Sequence, residues 1–292
     1  MSPVHRFRTA LLGSLVVAGL LIAPGIASAR TEGCGAPQRL DRDHFPGRPK
    51  IDNRFFPLVP GTEYTLKGTV GGASHTVVTT VTDLTKVVDG VRTIVVLDED
   101  LDGKVLQEVE LAMFAQDLGG TVWALGEYPE EYDNGQFTGA PDVWVSGTAR
   151  AHAGIAMLAR PALGTPAYLQ GVAPKIDFED CGQVLKTDQR VCVPVKCYDD
   201  VLVIDEWAPL DPEGGHHQKF HAPGVGIVRV DATGDVNPEV LNLVKYRHLC
   251  PNALAKARAR ALALDDHGYQ VSPDVFGQTS RAARTLDAAH CE

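Results

Sequence analysis

The sequence lacks most of the short motifs that identify enzymes and nucleotide-binding proteins. It has no Gly-x-Ser-x-Gly nucleophile elbow. Its glycine pairs at Gly71-Gly72 and Gly119-Gly120 lie in predicted hairpins, whereas a phosphate-binding loop opens a helix. No stretch alternates strands with helices, which argues against a parallel α/β sheet. These absences disfavour an enzyme, and the sequence predicts no cofactor.

Positive charge is scarce. The chain has 27 lysines and arginines against 37 aspartates and glutamates, a formal net charge of −10. Removing a predicted signal peptide at residues 1–29 takes away Arg6 and Arg8 and no acid, so the mature chain is two charges more negative. An acidic surface repels nucleic acid and anionic lipid headgroups, and neither is a predicted partner.

Long hydrophobic runs are confined to the N-terminus. Residues 1–29 join a basic start, an apolar stretch and a small-residue cleavage site at Ala27-Ser28-Ala29, which is typical of a secretory signal peptide. Nothing like a stop-transfer segment follows, so no transmembrane segment is expected after cleavage. The mature chain is therefore predicted to be secreted or periplasmic, with residues 30–50 as an extended lead-in.

The six cysteines are spaced for disulfides rather than for metal or redox chemistry. None forms a Cys-x-x-Cys pair, so a thioredoxin-like or zinc-ribbon site has no support. In an exported chain such cysteines indicate disulfides. Four of them allow three pairings, and the sequence does not choose between these: Cys34, Cys181, Cys192 and Cys197.

Residues 51–247 predict one antiparallel β domain. Turn signals such as Asp89-Gly90, Asp102-Gly103 and Asn134-Gly135 separate stretches with alternating apolar residues. We expect a mainly β fold, a curved antiparallel sheet that forms a barrel, a half-barrel or a sandwich. Residues 151–163 are harder to assign and predict either a short helix or a loop.

One turn defines its own geometry. In Ala222-Pro223-Gly224-Val225, proline sets φ at the first central position and glycine supplies a positive φ at the second, which predicts a type II turn. Centring the hairpin on this turn places Phe220 opposite Ile227 and Lys219 opposite Val228.

Residues 248–292 predict a short helical tail. Pro251 suits the first helical position, and one apolar stripe follows: Leu254, Ala257, Ala261 and Leu264. Gly268 is predicted to end this helix, and a second helix is expected over residues 279–290. If the two helices pack antiparallel, Cys250 lies beside Cys291, so we predict a helical hairpin closed by that disulfide.

Several sequence blocks come in an order that is known from a protein family. They lie within about residues 51–232 and read IDNRFFPLVPGTEY, TVTDLTKVVDGVRTIVV, FAQDLGGTVWALGE, VLVIDEWAPLDPE and FHAPGVGIVRV. In this order they resemble uncharacterised exported bacterial β-rich proteins with IDNxxFPLxPGT and YAPGVGLV-like motifs. The resemblance implies a fold like that of bacterial lipoprotein carriers and implies no catalytic residue. The chain departs from that family by Cys181, Cys192, Cys197 and its C-terminal tail.

Three histidines beside the type II turn are candidate metal ligands: His216, His217 and His221. On a strand, His217 and His221 share a face but lie about 13 Å apart, so further ligands would have to come from neighbouring strands. The stretch from Asp98 to Gly103 resembles the start of a calcium-binding loop, but its twelfth position is Val109, where such a loop needs a glutamate. The alternative for both stretches is a polar strand end or an acidic hairpin turn.

Aromatic residues in different predicted strands form the remaining candidate site: Trp123, Tyr128, Trp207 and Phe220. If these rings meet inside one curved sheet, they make a concave apolar face for a lipid or another hydrophobic small molecule. The alternative is that they only fill the core.

The leading functional hypothesis is an exported, non-enzymatic protein that binds such a hydrophobic molecule. One alternative is a secreted hydrolase or metal-dependent enzyme that uses the clustered acids or histidines. The other is a structural or protein-interaction module. The sequence does not identify a ligand, a substrate or an oligomeric state.

Overall fold

The fold is an antiparallel β-barrel with one α-helix packed against its outer wall. A computed structural model describes residues 33–288. The predicted signal peptide and Cys291 lie outside this range. The helix, α1, covers Pro251–Val271. The strands are β1 (Thr62–Val70), β2 (Ala73–Val88), β3 (Val91–Asp102), β4 (Val105–Gln116), β5 (Val122–Asp133), β6 (Gln136–Gly139), β7 (Trp144–Val145), β8 (His152–Met157), β9 (Tyr168–Ala173), β10 (Phe178–Cys192), β11 (Cys197–Trp207), β12 (His216–Ala222), β13 (Gly226–Thr233), β14 (Glu239–His248) and β15 (Ala283–Arg284).

Twelve strands close into a ring. The hydrogen-bonded order is β1-β14-β13-β12-β11-β10-β9-β8-β5-β4-β3-β2, and β1 also pairs with β2, which completes the circle. The short strands β6 and β7 add to β5, and β15 adds to the outside of β2. Closure removes the unpaired edges that an open sheet would expose. The mainly β, antiparallel prediction is confirmed, and of the three architectures left open the chain adopts the barrel.

Local turn chemistry sets several hairpins. Asp89-Gly90 has φ angles of 49° and 79°, and Asn134-Gly135 has 51° and 78°. Two successive positive φ values define the type I′ turn, whose twist matches that of the flanking strands. The predicted hairpins at these two sites are therefore confirmed.

The type II turn is present, but the predicted register of its hairpin is wrong. Gly224 has a φ of 72°, and the Val225 amide donates to the Ala222 carbonyl at 3.1 Å. However, Phe220 pairs with Arg229 and Lys219 with Val230, two residues beyond the predicted partners. Ala222 already pairs with Gly226 instead of Val225, and the register shifts by one more residue between Phe220 and His221. This β-bulge inserts one extra residue on the β13 side, which slides the rest of the hairpin.

Two apolar clusters separate the inside of the barrel from the outside. The interior cluster draws residues from nearly the whole ring, including Val81, Ile94, Met157, Ile204 and Leu243. The second cluster draws on β2 to β5 and on α1, and it therefore marks the outer wall beneath the helix. On β3 the two clusters alternate, with Ile94 and Val96 inside and Val95 and Leu97 outside, because successive side chains point to opposite faces.

A segment before β1 covers one end of the barrel interior. Ile51, Phe55, Phe56 and Leu58 pack against the interior cluster. The Gly224 amide donates to the Arg54 carbonyl at 2.7 Å, which ties the segment to the β12–β13 turn. We call this the plugged end. The opposite end holds the β1–β2, β3–β4 and β11–β12 connections.

The predicted short helix or loop at residues 151–163 contains a strand, β8. It pairs with β5 through Gly154 and Ala124 and with β9 through Ala153 and Gly171. A Cβ atom on Gly154 would lie 2.1 Å from the Gln170 carbonyl carbon, so only glycine permits this close approach. The apolar run at Ala153–Met157 is therefore a buried wall strand, and only the residues after it form a loop.

The C-terminal tail contains one helix, and the predicted helical hairpin is wrong within residues 279–288. Helix α1 begins at Pro251 as predicted but continues past Gly268, which is buried against Phe276. After it the chain forms β15, where Ala283 pairs with Thr85 and Arg284 with Leu84. The partner strand β2 overrides the local helical preference. Within residues 33–288, no helix is long and apolar enough to cross a membrane.

Two disulfides choose one of the three pairings that the sequence left open. Cys34 bonds to Cys181 and Cys192 bonds to Cys197. Cys250 is also disulfide-bonded. Its predicted partner, Cys291, lies outside the described residues, so that pairing stays a prediction.

Candidate functional site

Carboxylates replace apolar residues on the inner face of β3. Ile94 and Val96 belong to the interior cluster, and Asp98 and Asp100 follow at the same two-residue period. Side chains two apart on a strand lie on one face. The intervening Glu99 points outward, where it forms an ion pair with Arg260 of α1. The inner wall therefore changes from apolar to acidic along β3, toward the end opposite the plug.

The neighbouring strands β4 and β5 continue this acidic wall. Asp98 lies directly opposite Glu110, and Asp100 lies opposite Glu108. On the next strand, Glu127 lies opposite Ala112 of the interior cluster. Like charges directly opposite each other on a sheet destabilise it. A wall of this kind works against folding unless protons or a cation neutralise it.

Strands from the other side of the ring add further charges at the same end. Ile204 of the interior cluster lies opposite Lys219, and Glu206 lies two residues further along β11. Glu239 begins β14 two residues before the interior Leu241. Asp180 of β10 joins them, because the charges of Glu127, Glu206 and Lys219 act on it. We call the following set the acidic interior: Asp98, Asp100, Glu108, Glu110, Glu127, Asp180, Glu206 and Glu239.

Few basic groups balance these eight carboxyl groups. Lys219 Nζ lies 2.5 Å from Glu206 Oε2, and Gln170 Nε2 donates to Glu206 Oε1 at 3.0 Å. His75 Nε2 lies 3.8 Å from Asp100 Oδ2. Within residues 33–288, Lys219 and His75 are the basic side chains that form ion pairs with the acidic interior.

Glu239 is the most isolated of these acids. It is 2% exposed, and neither carboxyl oxygen has a hydrogen-bond partner in the part of the chain that the structure describes. The charges that act on it are Asp100, Lys219, His75 and Asp235, so its carboxyl group faces the acidic interior. A buried carboxyl group without a partner is costly, and it marks a place where a partner is missing.

Burial and mutual repulsion raise the pKa values of several of these groups. Burial is the larger cause, and it raises the pKa of Asp98 to about 7 and the pKa values of Asp180 and Glu239 to about 8. Glu108 and Glu110 also have raised pKa values, because they are buried and their charged neighbours are acids. At neutral pH the acidic interior therefore holds protons that ordinary carboxyl groups would release.

Two groups that form ion pairs, the acid Glu206 and the base His75, behave differently. Burial acts to raise the pKa of Glu206, but Lys219 outweighs it and the pKa lies below its ordinary value. Burial also acts to lower the pKa of His75, and hydrogen bonds to Asp100 and Asp102 more than offset it, giving a value of about 9. The ion pair with Lys219 therefore favours the charged form of Glu206, and the bonds to Asp100 and Asp102 favour the charged form of His75.

Water reaches part of the acidic interior, at Lys219 and Glu206. The side chain of Lys219 is 29% exposed and that of Glu206 is 16% exposed. By contrast, interior residues toward the plugged end, such as Val81, Val228 and Leu243, are fully buried against one another. The acidic end of the interior therefore offers solvent-accessible polar groups to a ligand, whereas packed side chains occupy the interior toward the plugged end.

The carboxylates do not converge on one point. Among residues 33–288, one set of three potential ligand atoms lies within metal-binding distance, and it consists of Cys34, Glu179 and Cys181. Those cysteines form a disulfide, so they offer no thiolate to a metal. The acidic interior is a dispersed charged wall rather than a preformed chelate.

The four predicted aromatic ligand-binding residues do not come together in the structure. Trp123 and Tyr128 lie in the outer-wall cluster, where Tyr128 packs on Phe276 with ring centroids 4.6 Å apart. Trp207 packs beside the Cys34–Cys181 disulfide. Phe220 packs against the interior cluster under the Arg229 guanidinium.

The three predicted metal-binding histidines each have their own partner. His216 Nδ1 lies 2.8 Å from Asp205 Oδ2, and His217 Nε2 lies 3.2 Å from Asp235 Oδ2. His221 is buried at the plugged end, where its Nδ1 lies 3.1 Å from the Phe55 carbonyl oxygen. The structure does not bring the three rings to one point.

Sequence reasoning did not identify the acidic interior, although a signal for it exists. Asp98, Asp100 and Asp102 alternate in LDEDLD, and Glu108 and Glu110 alternate in QEVE. This period of two continues the apolar pattern upstream of Asp98, so the carboxylates share a face with core residues. When the same residues are interpreted as an acidic hairpin, they indicate only a solvent-exposed turn.

Comparison with known proteins gives two remote structural likenesses. No protein-family model matches the chain, and no curated protein matches it. One solved structure is a "putative lipoprotein" from Parabacteroides distasonis, with 16% identity and a TM-score of 0.31 over 67% of this chain and 99% of that one. Another is a "putative exported protein with YmcC-like fold" from Bacteroides fragilis, with 16% identity and a TM-score of 0.32 over the same shares. Both likenesses are too remote to assign a function, and the family resemblance of the sequence motifs stays a prediction.

Proposed function

We propose that this protein is an exported binding protein that holds a cationic ligand at the acidic end of its barrel. Export is supported by the predicted signal peptide and by the Cys34–Cys181 and Cys192–Cys197 disulfides, which form in oxidising compartments. The binding role is supported chiefly by Glu239, a buried carboxyl group that has no hydrogen-bond partner within residues 33–288 and lies within the electrostatic reach of Asp100 and Asp235 as well as of Lys219 and His75.

The charge balance of the interior favours a cation over other ligands. Eight carboxyl groups share the site with Lys219 and His75. Either protons or a bound cation must offset their repulsion, and a cation that displaces protons gains charge-assisted contacts at once. Binding is therefore expected to release protons and to weaken as the pH falls.

A hydrophobic ligand has less support from the geometry than a cation. The apolar half of the interior is filled by its own buried side chains and by the plug segment. The predicted aromatic residues lie in separate places, Trp123 and Tyr128 on the outer wall. A lipid would have to displace packed side chains, whereas a cation meets groups that already lack partners.

The first prediction tests cation binding by thermal unfolding of the oxidised mature protein at pH 7.5. We expect at least one of calcium, magnesium, zinc, putrescine or spermidine to raise the melting temperature by several degrees. Saturating a site at one hundred times its Kd stabilises the folded state by about 2.7 kcal/mol. Sodium chloride at matched ionic strength controls for screening.

Two variants separate site binding from surface effects. Glu239→Gln should reduce the cation-induced shift, while Asp274→Asn, which removes an exposed carboxylate from the outside, should leave it unchanged. A melting temperature that responds to every salt as it responds to sodium chloride would contradict the proposed function.

A further inference from the structure

We infer that the ligand is a linear oligoamine whose protonated nitrogens bind separate carboxyl groups of the acidic interior. This inference rests on the proposed cation-binding function and names the chemical class of its ligand. Three features of the site carry it: a resident ammonium group, an acidic wall that lacks one, and the spacing between the acids.

Lys219 shows that the site accepts a primary ammonium group. Its Nζ lies 2.5 Å from Glu206, and Glu239 and Asp180 on neighbouring parts of the ring also act on its charge. An ammonium group donates three hydrogen bonds and can therefore connect several carboxylates. The side chain of Lys219 is one alkylamine already held by this interior.

The opposite wall has acids but no such group. Asp98, Glu108 and Glu110 form no ion pair with a lysine or arginine in the part of the chain that the structure describes. Asp98 Oδ1 and both oxygens of Glu239 are buried without hydrogen-bond partners in that part. These are the positions where further ammonium groups would bind.

The spacing of the wall fits a chain of charges better than one ion. The backbone positions that carry neighbouring acids on one sheet face are spaced roughly 5–7 Å apart, both across the strands, as for Asp98 and Glu110, and along a strand, as for Asp98 and Asp100. Nitrogens joined by short alkyl spacers lie at similar distances. A calcium ion needs six to eight oxygen ligands around one point, and the donor atoms here do not converge.

Apolar residues among the acids suit the alkyl spacers. Val77 lies opposite Asp100, and Pro129 lies opposite Glu110. Val230, opposite Lys219, belongs to the interior cluster. An oligoamine alternates ammonium groups with alkyl spacers, and the barrel wall likewise carries both carboxyl groups and apolar side chains.

The test is calorimetric titration of the oxidised mature protein at pH 7.5 with n-butylamine, putrescine, spermidine, spermine and calcium chloride. We expect affinity to rise at least tenfold from the monoamine to the triamine. Proton release should make the observed enthalpy depend on the buffer. Triethylene glycol, an uncharged flexible chain, should not bind.

Matched variants localise the binding. The double substitution Asp98→Asn/Glu110→Gln should weaken spermidine binding at least tenfold. Amides in place of mutually repelling acids are expected to leave folding intact, and circular dichroism checks this. The control Asp274→Asn removes an exposed charge and should have no effect. A four-lysine peptide tests whether the same ammonium chemistry is taken from a protein chain.

The outcomes separate the inference from the proposed function. Calcium binding that depends on Glu239, without amine binding, would keep the proposed function and overturn the oligoamine. The peptide binding where free amines do not would also overturn it, as would an affinity that ignores the number of nitrogens. Absence of binding by all the cations would remove both proposals.

Discussion

Two histidines show how position within the barrel sets the charge of a residue. His75 lies at the acidic end, where Asp100 and Asp102 offset the effect of burial and raise its pKa to about 9. His221 lies beside the plug, where burial dominates and lowers its pKa to about 4. One ring is therefore charged and the other neutral at pH 7. The acids at one end of the barrel and burial at the other therefore set the charge of each ring.

The pH dependence of stability follows from the raised carboxyl pKa values. Between pH 6.5 and 8, the unfolded chain has ionised Asp98, Asp180 and Glu239, while the folded chain still holds part of their protons at pKa values of about 7, 8 and 8. The folded state binds more protons, so stability falls as the pH rises. His75 acts in the same direction, because its stabilising charge is lost toward pH 9.

We predict that Glu239→Gln flattens this profile. The variant should be more stable than the wild type at pH 8 and close to it at pH 4.5, because the amide cannot ionise. Urea unfolding across pH 4.5–8.5, without amines and with EDTA, measures the difference. Asp274→Asn should keep the wild-type slope, and an unchanged slope in Glu239→Gln would contradict the buried, proton-holding state of this group.

Helix α1 is held to the barrel by buried charge as well as by apolar packing. Lys86 is fully buried on β2, and its Nζ lies 2.6 Å from Asp265 of the helix and 4.1 Å from the centre of the Phe276 ring. Asp83 on the same strand accepts hydrogen bonds from Arg258 of α1 and from Arg284 of β15. These pairs fix the position of the helix and of the chain that follows it.

We predict that Lys86→Met destabilises the protein by about 3–5 kcal/mol, because it leaves Asp265 buried without its cation. The double substitution Lys86→Met/Asp265→Leu should recover a large part of that loss, since neither charge then remains. Urea unfolding measures both. Lys256→Met on the exposed face of α1 is the control and should change stability by less than about 0.5 kcal/mol. A double variant no more stable than the single one would show that the uncompensated charge of Asp265 is not the cause of the loss.

Closure of the barrel depends on contacts between distant parts of the chain. Strand β1 pairs with β14, so Thr62 meets His248 near the end of the barrel domain. The Cys34–Cys181 disulfide joins the lead-in to β10 across 147 residues, whereas Cys192–Cys197 spans 5. Long separations cost loop entropy, and a long-range disulfide removes that cost from the unfolded state.

The two disulfides should therefore contribute unequally. In the chain-entropy model, removing Cys34–Cys181 by a double serine substitution costs roughly 5 kcal/mol, and removing Cys192–Cys197 costs roughly 2 kcal/mol. Thermal and urea unfolding of the two double variants measures the ratio. Equal losses would indicate that the folded-state environment of each bond, rather than loop length, sets its contribution.

Local chemistry made several elements predictable. Asp-Gly and Asn-Gly pairs favour positive φ values, which Asp89-Gly90 and Asn134-Gly135 adopt at both positions, and Pro251 suits a helix start. These conformations are favoured by the local residue types and need no contact with a distant part of the chain. The hairpin register at Phe220 was not predictable in the same way. It includes a bulge between Phe220 and His221 for which the sequence carries no turn signal.

The candidate site was less predictable than the strands. Trp123 and Tyr128 are five positions apart, so strict alternation along β5 would place them on opposite faces. The register shift between β4 and β5 brings both to the outer wall, where Tyr128 lies beside Gly268 of α1 and Trp123 beside Phe45. Glu239 is an ordinary acid in the sequence and becomes isolated only when β14 joins β1 and β13.

The sequence by itself determined the antiparallel β class, the two type I′ turns, the type II turn and the start of α1. Each depends on residues within a few positions of one another, where φ preferences and side-chain period decide the outcome. Only the tertiary structure decided ring closure, the strand at Ala283–Arg284, the disulfide pairing and the inward face of the acids. Those features depend on which distant strands pair. The free energy of that pairing comes from contacts between residues far apart in the sequence, so no local sequence pattern predicts it.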